Sequence, residues 1–138
     1  MRWVAPINSK ETIDAVLALK TWAVVGLGNN PERAAFGVAK LLQDKGHRII
    51  PVYPRAEEVH GEAGYKTLAD IPVQVDVVDC FVNSKLVGKV VDEAIAIGAK
   101  AVWLQLDVID HEAVGRAQAA GLLTVMDRCP AIEYRVRA

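Results

Sequence analysis

A chain of 138 residues, 52% of them hydrophobic, is long enough for one compact domain with a real core. Its net charge of −1 gives no broad field for nucleic acid or a membrane surface, and no apolar run approaches the roughly 20 residues of a transmembrane helix. Two cysteines in an α/β pattern point to reduced thiols and a cytoplasmic home, and the opening MRWVAPINSKETID lacks the build of a signal peptide.

Asn8 and Glu11 have capping-box spacing, with Asn in the Ser/Thr place, and predict a helix over residues 9–20. Trp22-Ala23-Val24-Val25 then reads as a strand that stops at Gly26-Leu27-Gly28. Asn29 and Asn30 follow, with Asn30 a good N-cap and Pro31 suited to the first helical position. Strand, glycine turn and helix start together form an anion cradle. Gly26 and Gly28 let a ligand approach the main chain, and the first helical amides lie at the positive end of the dipole. Arg33 in that first turn costs about 0.3–1 kcal/mol, which a bound phosphate would offset.

The helix after Pro31 buries Ala35, Val38, Ala39 and Leu42 and ends at Gly46; residues 48–52 form the second strand. A dinucleotide fingerprint would continue with a third glycine and an acidic residue at the end of that strand. Here Pro31 replaces the glycine, and Val52-Tyr53-Pro54-Arg55 carries no carboxylate, Glu57 and Glu58 coming beyond the expected position. Arg55 is either a solvated loop arginine or one suited to a ligand with an extra phosphate on its adenosine ribose, as in NADP or coenzyme A.

Residues 53–74 are looser, with one helical turn at residues 67–71. The third strand, residues 75–82, holds Cys80 as inert core and Asp79, which is either a structural hydrogen-bond acceptor or a site residue. Asn83-Ser84 caps a helix to about Ile97. A fourth strand at residues 101–106, a helix capped by Asp110, a fifth strand at residues 122–126 and a short tail complete the chain.

The alternation predicts a single doubly wound, Rossmann-like α/β domain over residues 1–138. It has a mostly parallel sheet of about five strands, helices on both faces, and an N-terminal helical segment, residues 1–20, packed on it. Ligands in such sheets bind beyond the strands' carboxyl ends. That rim collects the glycine loop, Pro54, Arg55, Phe81, Val82, Lys85, Gln105, Arg128 and Cys129, and suits an elongated anionic ligand. It shows no catalytic constellation, metal-ligand spacing or nucleophile elbow. His47, His60 and His111 read as surface positions. Cys129 follows a strand end beside Arg128 and is either a packing residue or a thiol within reach of a ligand's reactive end.

Several segments together resemble one family. These are Ala23-Val24-Val25-Gly26-Leu27 with Asn30-Pro31-Glu32-Arg33, Ile50-Pro51-Val52-Tyr53-Pro54, Val75-Asp76-Val77-Val78-Asp79, Val102-Trp103-Leu104-Gln105-Leu106 and Val125-Met126-Asp127-Arg128-Cys129. The chain is similar to the small stand-alone CoA-binding domain proteins, whose fold is like the N-terminal domain of the succinyl-CoA synthetase alpha subunit. The resemblance implies CoA or acyl-CoA across the strand ends, touched by Gly26, Asn29, Asn30, Arg33, Val52, Pro54, Phe81 and Val82. Arg33, Arg55 or Lys85 would meet phosphates, and the pantetheine would run toward Gln105 or Cys129. Ala35-Phe36-Gly37 and Asn83-Ser84 depart from the family pattern and remove phosphate or ribose contacts. The ligases also need a phosphohistidine domain and an ATP-grasp partner, which this domain lacks. The expectation is a non-catalytic or accessory binding module. The alternatives are an NADP-dependent oxidoreductase and a regulatory subunit with a vestigial site, acting through a homo-oligomer or protein partner.

Overall fold

The computed structural model describes residues 4–138. Residues 1–3, the start of the expected N-terminal segment, lie outside it. Five strands, β1 (Thr21–Val25), β2 (Arg48–Val52), β3 (Val77–Cys80), β4 (Ala101–Leu104) and β5 (Leu123–Val125), form one all-parallel sheet in the order β2-β1-β3-β4-β5. Five helices cover it: α1 (Lys10–Leu17), α2 (Ala34–Asp44), α3 (Val87–Ala96), α4 (His111–Ala119) and α5 (Pro130–Val136). This is the expected Rossmann-like arrangement.

Alternation along the buried strands sorts the core into two halves. Ala23, Val78, Cys80, Val102 and Leu104 pack with α3 and α4, while Trp22, Val24, Val77, Trp103 and Val125 pack with α1, α2 and Tyr134 of α5. No helix among the described residues is long and apolar enough to cross a membrane.

Local chemistry moves several boundaries. The α1 cap is Ser9, whose hydroxyl accepts from the Thr12 amide (3.1 Å), not Asn8. Asn8 sits at φ 62°, and its side chain accepts from the Met126 amide (2.8 Å) and donates to the Met126 carbonyl (2.9 Å). Asp110 caps α4 as expected, accepting from the Ala113 amide at 3.0 Å. Ser84 does not cap α3: its hydroxyl accepts from the Ile109 amide (2.9 Å), while Asn83 Oδ1 accepts from the amides of Lys85 and Leu86. That turn delays α3 to Val87. β3 stops at Cys80; the Phe81 amide gives the last bond to β1, to the Val25 carbonyl at 2.8 Å, and Phe81 and Val82 line the rim. The tail expected after Pro130 is helix α5.

Candidate functional site

The chain runs from β1 outward to β2 and then back across to β3 on the other side of β1. Crossover connections diverge there and open a crevice at the strands' carboxyl ends. Gly26 forms its floor at φ 99°, donating its amide to the Val52 carbonyl at 2.8 Å. A Cβ at Gly26 would lie 2.3 Å from the Phe81 carbonyl oxygen, so strand-end packing alone demands glycine there. Gly28 needs no left-handed backbone. Its Cβ would instead meet Glu57 Oε1 at 3.1 Å and the Tyr53 ring at 3.3 Å.

The helix after the loop starts later than its sequence suggests. Asn30 Oδ1 accepts from the Glu32 amide (3.0 Å), and the Asn30 carbonyl accepts from the Arg33 amide (3.1 Å). This side-chain-closed turn competes with helix, so Asn30 and Pro31 precede α2 rather than open it. Arg33 is the cap residue, with extended backbone and no side-chain cap bond. Among the described residues no acceptor reaches the amides of Ala34 and Ala35. The unpaired helix-start amides therefore lie beyond Arg33, at the lining of the larger cleft.

Two adjoining clefts make up the rim. The smaller, about 260 Å³, is lined by Gly26, Gly28, Asn29, Asn30, Arg33, Tyr53, Arg55 and Glu57. The larger, about 600 Å³, shares Gly26, Arg33 and Tyr53 with it and continues past Val52, Pro54, Phe81 and Val82 to Gln105, Leu106, Val108 and Cys129. Lys85 is exposed and lines neither, because the Asn83 turn holds it on the α3 side. Tyr53 stands on the rim as the sequence places it; Lys66, expected to be solvated, is a wall residue the sequence does not single out. Ala34, Ala35 and Val38 were counted as helix residues but also line the larger cleft. Tyr53 was legible, being the first residue after β2; Lys66 reaches the site only because its loop folds back, with the Tyr65 amide donating to the Pro51 carbonyl at 3.0 Å.

Glu57 was read as lying beyond the ribose-gripping position. In three dimensions its Oε1 accepts from the Asn29 amide at 3.4 Å, while Asn29 Nδ2 donates to the Glu58 carbonyl at 2.8 Å. A carboxylate thus stands against the glycine loop.

At the far end, Cys129 is half-buried as the cap residue of α5. The Arg128 guanidinium donates to the Asp127 carbonyl (2.8 Å). Asp79 is fully buried, and its Oδ1 accepts from Gln105 Nε2. Burial pushes its carboxyl up to about 7, opposed in part by that hydrogen bond. Cys80 is buried on the opposite face, with its thiol pushed up by burial and by Asp79.

Two of the three histidines differ from their expected surface positions. His47 is buried, with Nδ1 2.8 Å from the Leu19 carbonyl and Nε2 2.5 Å from the Tyr134 hydroxyl, because α5 covers it. His60 is half-buried against the Phe36 ring, with Nε2 2.8 Å from the Phe36 carbonyl. His111 is exposed. Among the described residues no group of three His, Cys, Asp or Glu could hold a metal ion.

The CoA binding domain model matches residues 20–135. The YneT protein of Bacillus subtilis is 33% identical over 129 residues, 93% of this chain and 96% of its own length. The alpha subunit of an ADP-forming acetate–CoA ligase (II) from Pyrococcus furiosus is 36% identical over 81 residues, 58% of this chain but only 18% of that subunit. A solved hypothetical protein from Pyrococcus horikoshii superposes with a TM-score of 0.88 at 40% identity, covering 99% of this chain and 98% of that one. With its parallel sheet, its crevice where the strand order reverses and a match over most of its length, the chain belongs to the CoA-binding domain family.

Proposed function

We propose that this chain binds coenzyme A or an acyl-CoA as a non-catalytic or accessory module. Phosphates meet the loop Gly26, Gly28, Asn29, Asn30 with Arg33 and Arg55, and the pantetheine arm runs past Val52, Pro54, Phe81 and Val82 toward Gln105 and Cys129. The observation that carries this reading is the paired shape of the site. A small polar cleft bearing two arginines opens into a larger, mostly apolar one, and the unpaired amides of Ala34 and Ala35 lie on the larger cleft's wall near their junction. An anionic head with a slender, mainly apolar arm fits that division.

A second reading, a regulatory subunit whose nucleotide site is vestigial, draws on Glu57, which already takes the Asn29 amide. Native mass spectrometry of the purified protein, then calorimetric titration with CoA, NADPH and NADH, separates them. Co-purified or titrating CoA, weakened in Arg33→Ala by about ten- to a hundredfold as for loss of a charge-assisted hydrogen bond, supports the CoA reading. NADPH binding alone overturns it in favour of an NADP-dependent oxidoreductase. Silence with all three ligands favours the vestigial site.

A further inference from the structure

Asp79 lies in β3 opposite Val24 and Trp103, and Gln105 directly follows β4, two residues beyond Trp103. Both side chains therefore point to the α2 and α5 face, at its carboxyl end. Asp79 is sealed from solvent; Gln105 is only 5% exposed yet lines the larger cleft. A carboxylate offers no donor, so the Gln105 amide must turn its nitrogen inward to Asp79. The carbonyl on the same planar amide is then turned away from Asp79. No protein donor among the described residues reaches Gln105 Oε1, and the two sealed, unpartnered side-chain polar atoms among the described residues are Asp79 Oδ2 and Thr124 Oγ1, not this one. Oε1 is therefore open to the cleft, a side-chain acceptor beside Phe81, Leu106, Val108 and Cys129.

We propose that Gln105 is the specificity-determining polar contact of the larger cleft, held by Asp79 as an acceptor, and that it selects ligands carrying an N–H or O–H donor on the arm beyond the phosphates. The inference rests on the CoA reading, since the pantetheine arm offers two amide N–H groups and a hydroxyl. Binding an arm with no donor there would leave Oε1 desolvated and unpaired, which costs more than the bond itself contributes.

Asp79 acts here as a positioning residue with a pH signature. Protonated, it becomes a donor and accommodates the flipped amide, which then offers NH2 to the cleft instead of an acceptor. The groups around Asp79 leave this titration to burial. Val24 and Trp103 flank it on the neighbouring strands, Ala35, Ala39 and Leu42 face that half of the core from α2, and Ile13, Val16 and Leu17 from α1. From α5 comes Tyr134, engaged with His47, and Cys80 beside Asp79 points to the other face. Arg33, Lys66 and Cys129 line the cleft itself.

The test uses two probes, CoA and adenosine 3′,5′-bisphosphate, which lacks the arm. Gln105→Met is expected to weaken CoA roughly five- to tenfold, while the bisphosphate stays within about twofold and so reports an intact fold. The ratio of CoA to bisphosphate affinity is expected to fall more in the wild type than in Asp79→Asn between about pH 8 and about pH 6, the range across which Asp79 gains its proton, since the ionisation of the bisphosphate's own 5′-phosphate is common to both proteins. Equal losses on both probes, an unchanged CoA affinity in Gln105→Met, or the same pH dependence of the ratio in Asp79→Asn as in the wild type each overturn the inference. Wild-type protein that binds no CoA overturns the CoA reading and this inference together; wild-type binding with an indifferent Gln105→Met overturns the inference alone.

Discussion

Beside Gly28, a glutamate and a glycine loop share the space that a phosphate would take. Glu57 Oε1 lies 3.4 Å from the Asn29 amide, in the same cleft as Arg33 and Arg55. The carboxylate takes the Asn29 amide and, under the proposed CoA reading, would repel an arriving phosphate. Glu57→Gln removes the repulsion and keeps an acceptor for Asn29, so it is expected to tighten CoA about two- to fivefold, the scale of interactions between part-exposed charges. Calorimetry at low and high salt checks this; the gain shrinks as salt screens the charge. Legibility at this scale varies by residue. Gly26, Arg33 and Arg55 were readable from the strand–turn–helix order. Glu57 was not, because it reaches the loop through a chain reversal that leaves no periodic signal. Lys85 was misplaced for the opposite reason: it follows a strand end closely, but the Asn83 turn carries it off the rim.

Among the elements, α5 shows where sequence patterning runs out. PAIEYRV has seven residues, too few to display a 3.6-residue period, and such a helix is stable only when docked. Its dock is visible in space. Tyr134 meets buried His47, and Arg137 pairs with Asp14 of α1 at 2.6 Å and with Glu133 at 3.0 Å. A carbonyl only accepts, so His47 Nδ1 carries the proton given to Leu19, and Nε2 accepts from the Tyr134 hydroxyl. Burial lowers the affinity of His47 for a second proton, the Leu19 bond opposing this in part. The unfolded chain therefore takes that proton first. The contribution of neutral His47 to stability is complete above its unfolded pKa of about 6.5 and is lost as pH falls toward the lower folded value. Thermal unfolding across about pH 5–7.5 is expected to show this loss in the wild type and less of it in His47→Gln. At the strands, continuous apolar runs overstated length in β3 and β4. Hydrophobicity continues into Phe81, Val82 and Leu106, but these residues line a cleft rather than extend a ladder.

For the molecule as a whole, the α/β alternation was sufficient to anticipate a doubly wound parallel sheet. The strand order was not in the pattern, since it depends on which side of β1 the third strand joins, and the crevice exists because β2 and β3 take opposite sides. The borders of the sheet are treated alike. On β5, the Asn8 backbone donates to the Thr124 carbonyl (3.3 Å) and its side chain takes both polar groups of Met126. On β2, Pro51 has no amide to offer and its carbonyl is taken by Tyr65, whose own carbonyl accepts from the Tyr53 amide at 3.0 Å. Asn8→Ala is expected to cost about 1–3 kcal/mol, the sum of two lost side-chain hydrogen bonds with one backbone pair left unmet. Chemical denaturation measures that loss, and light scattering reads any growth in particle mass with concentration.

Those blunted borders decide how a second protein can meet this one. An unpaired strand edge is a template on which any extended peptide can be copied, and here a three-residue strand on one side and a proline on the other leave almost nothing to copy. Fibril growth and strand-swapped pairing are shut off by the same two devices. Recognition by another chain falls instead to the helix faces and to the rim, where an occupied crevice presents a different surface from an empty one.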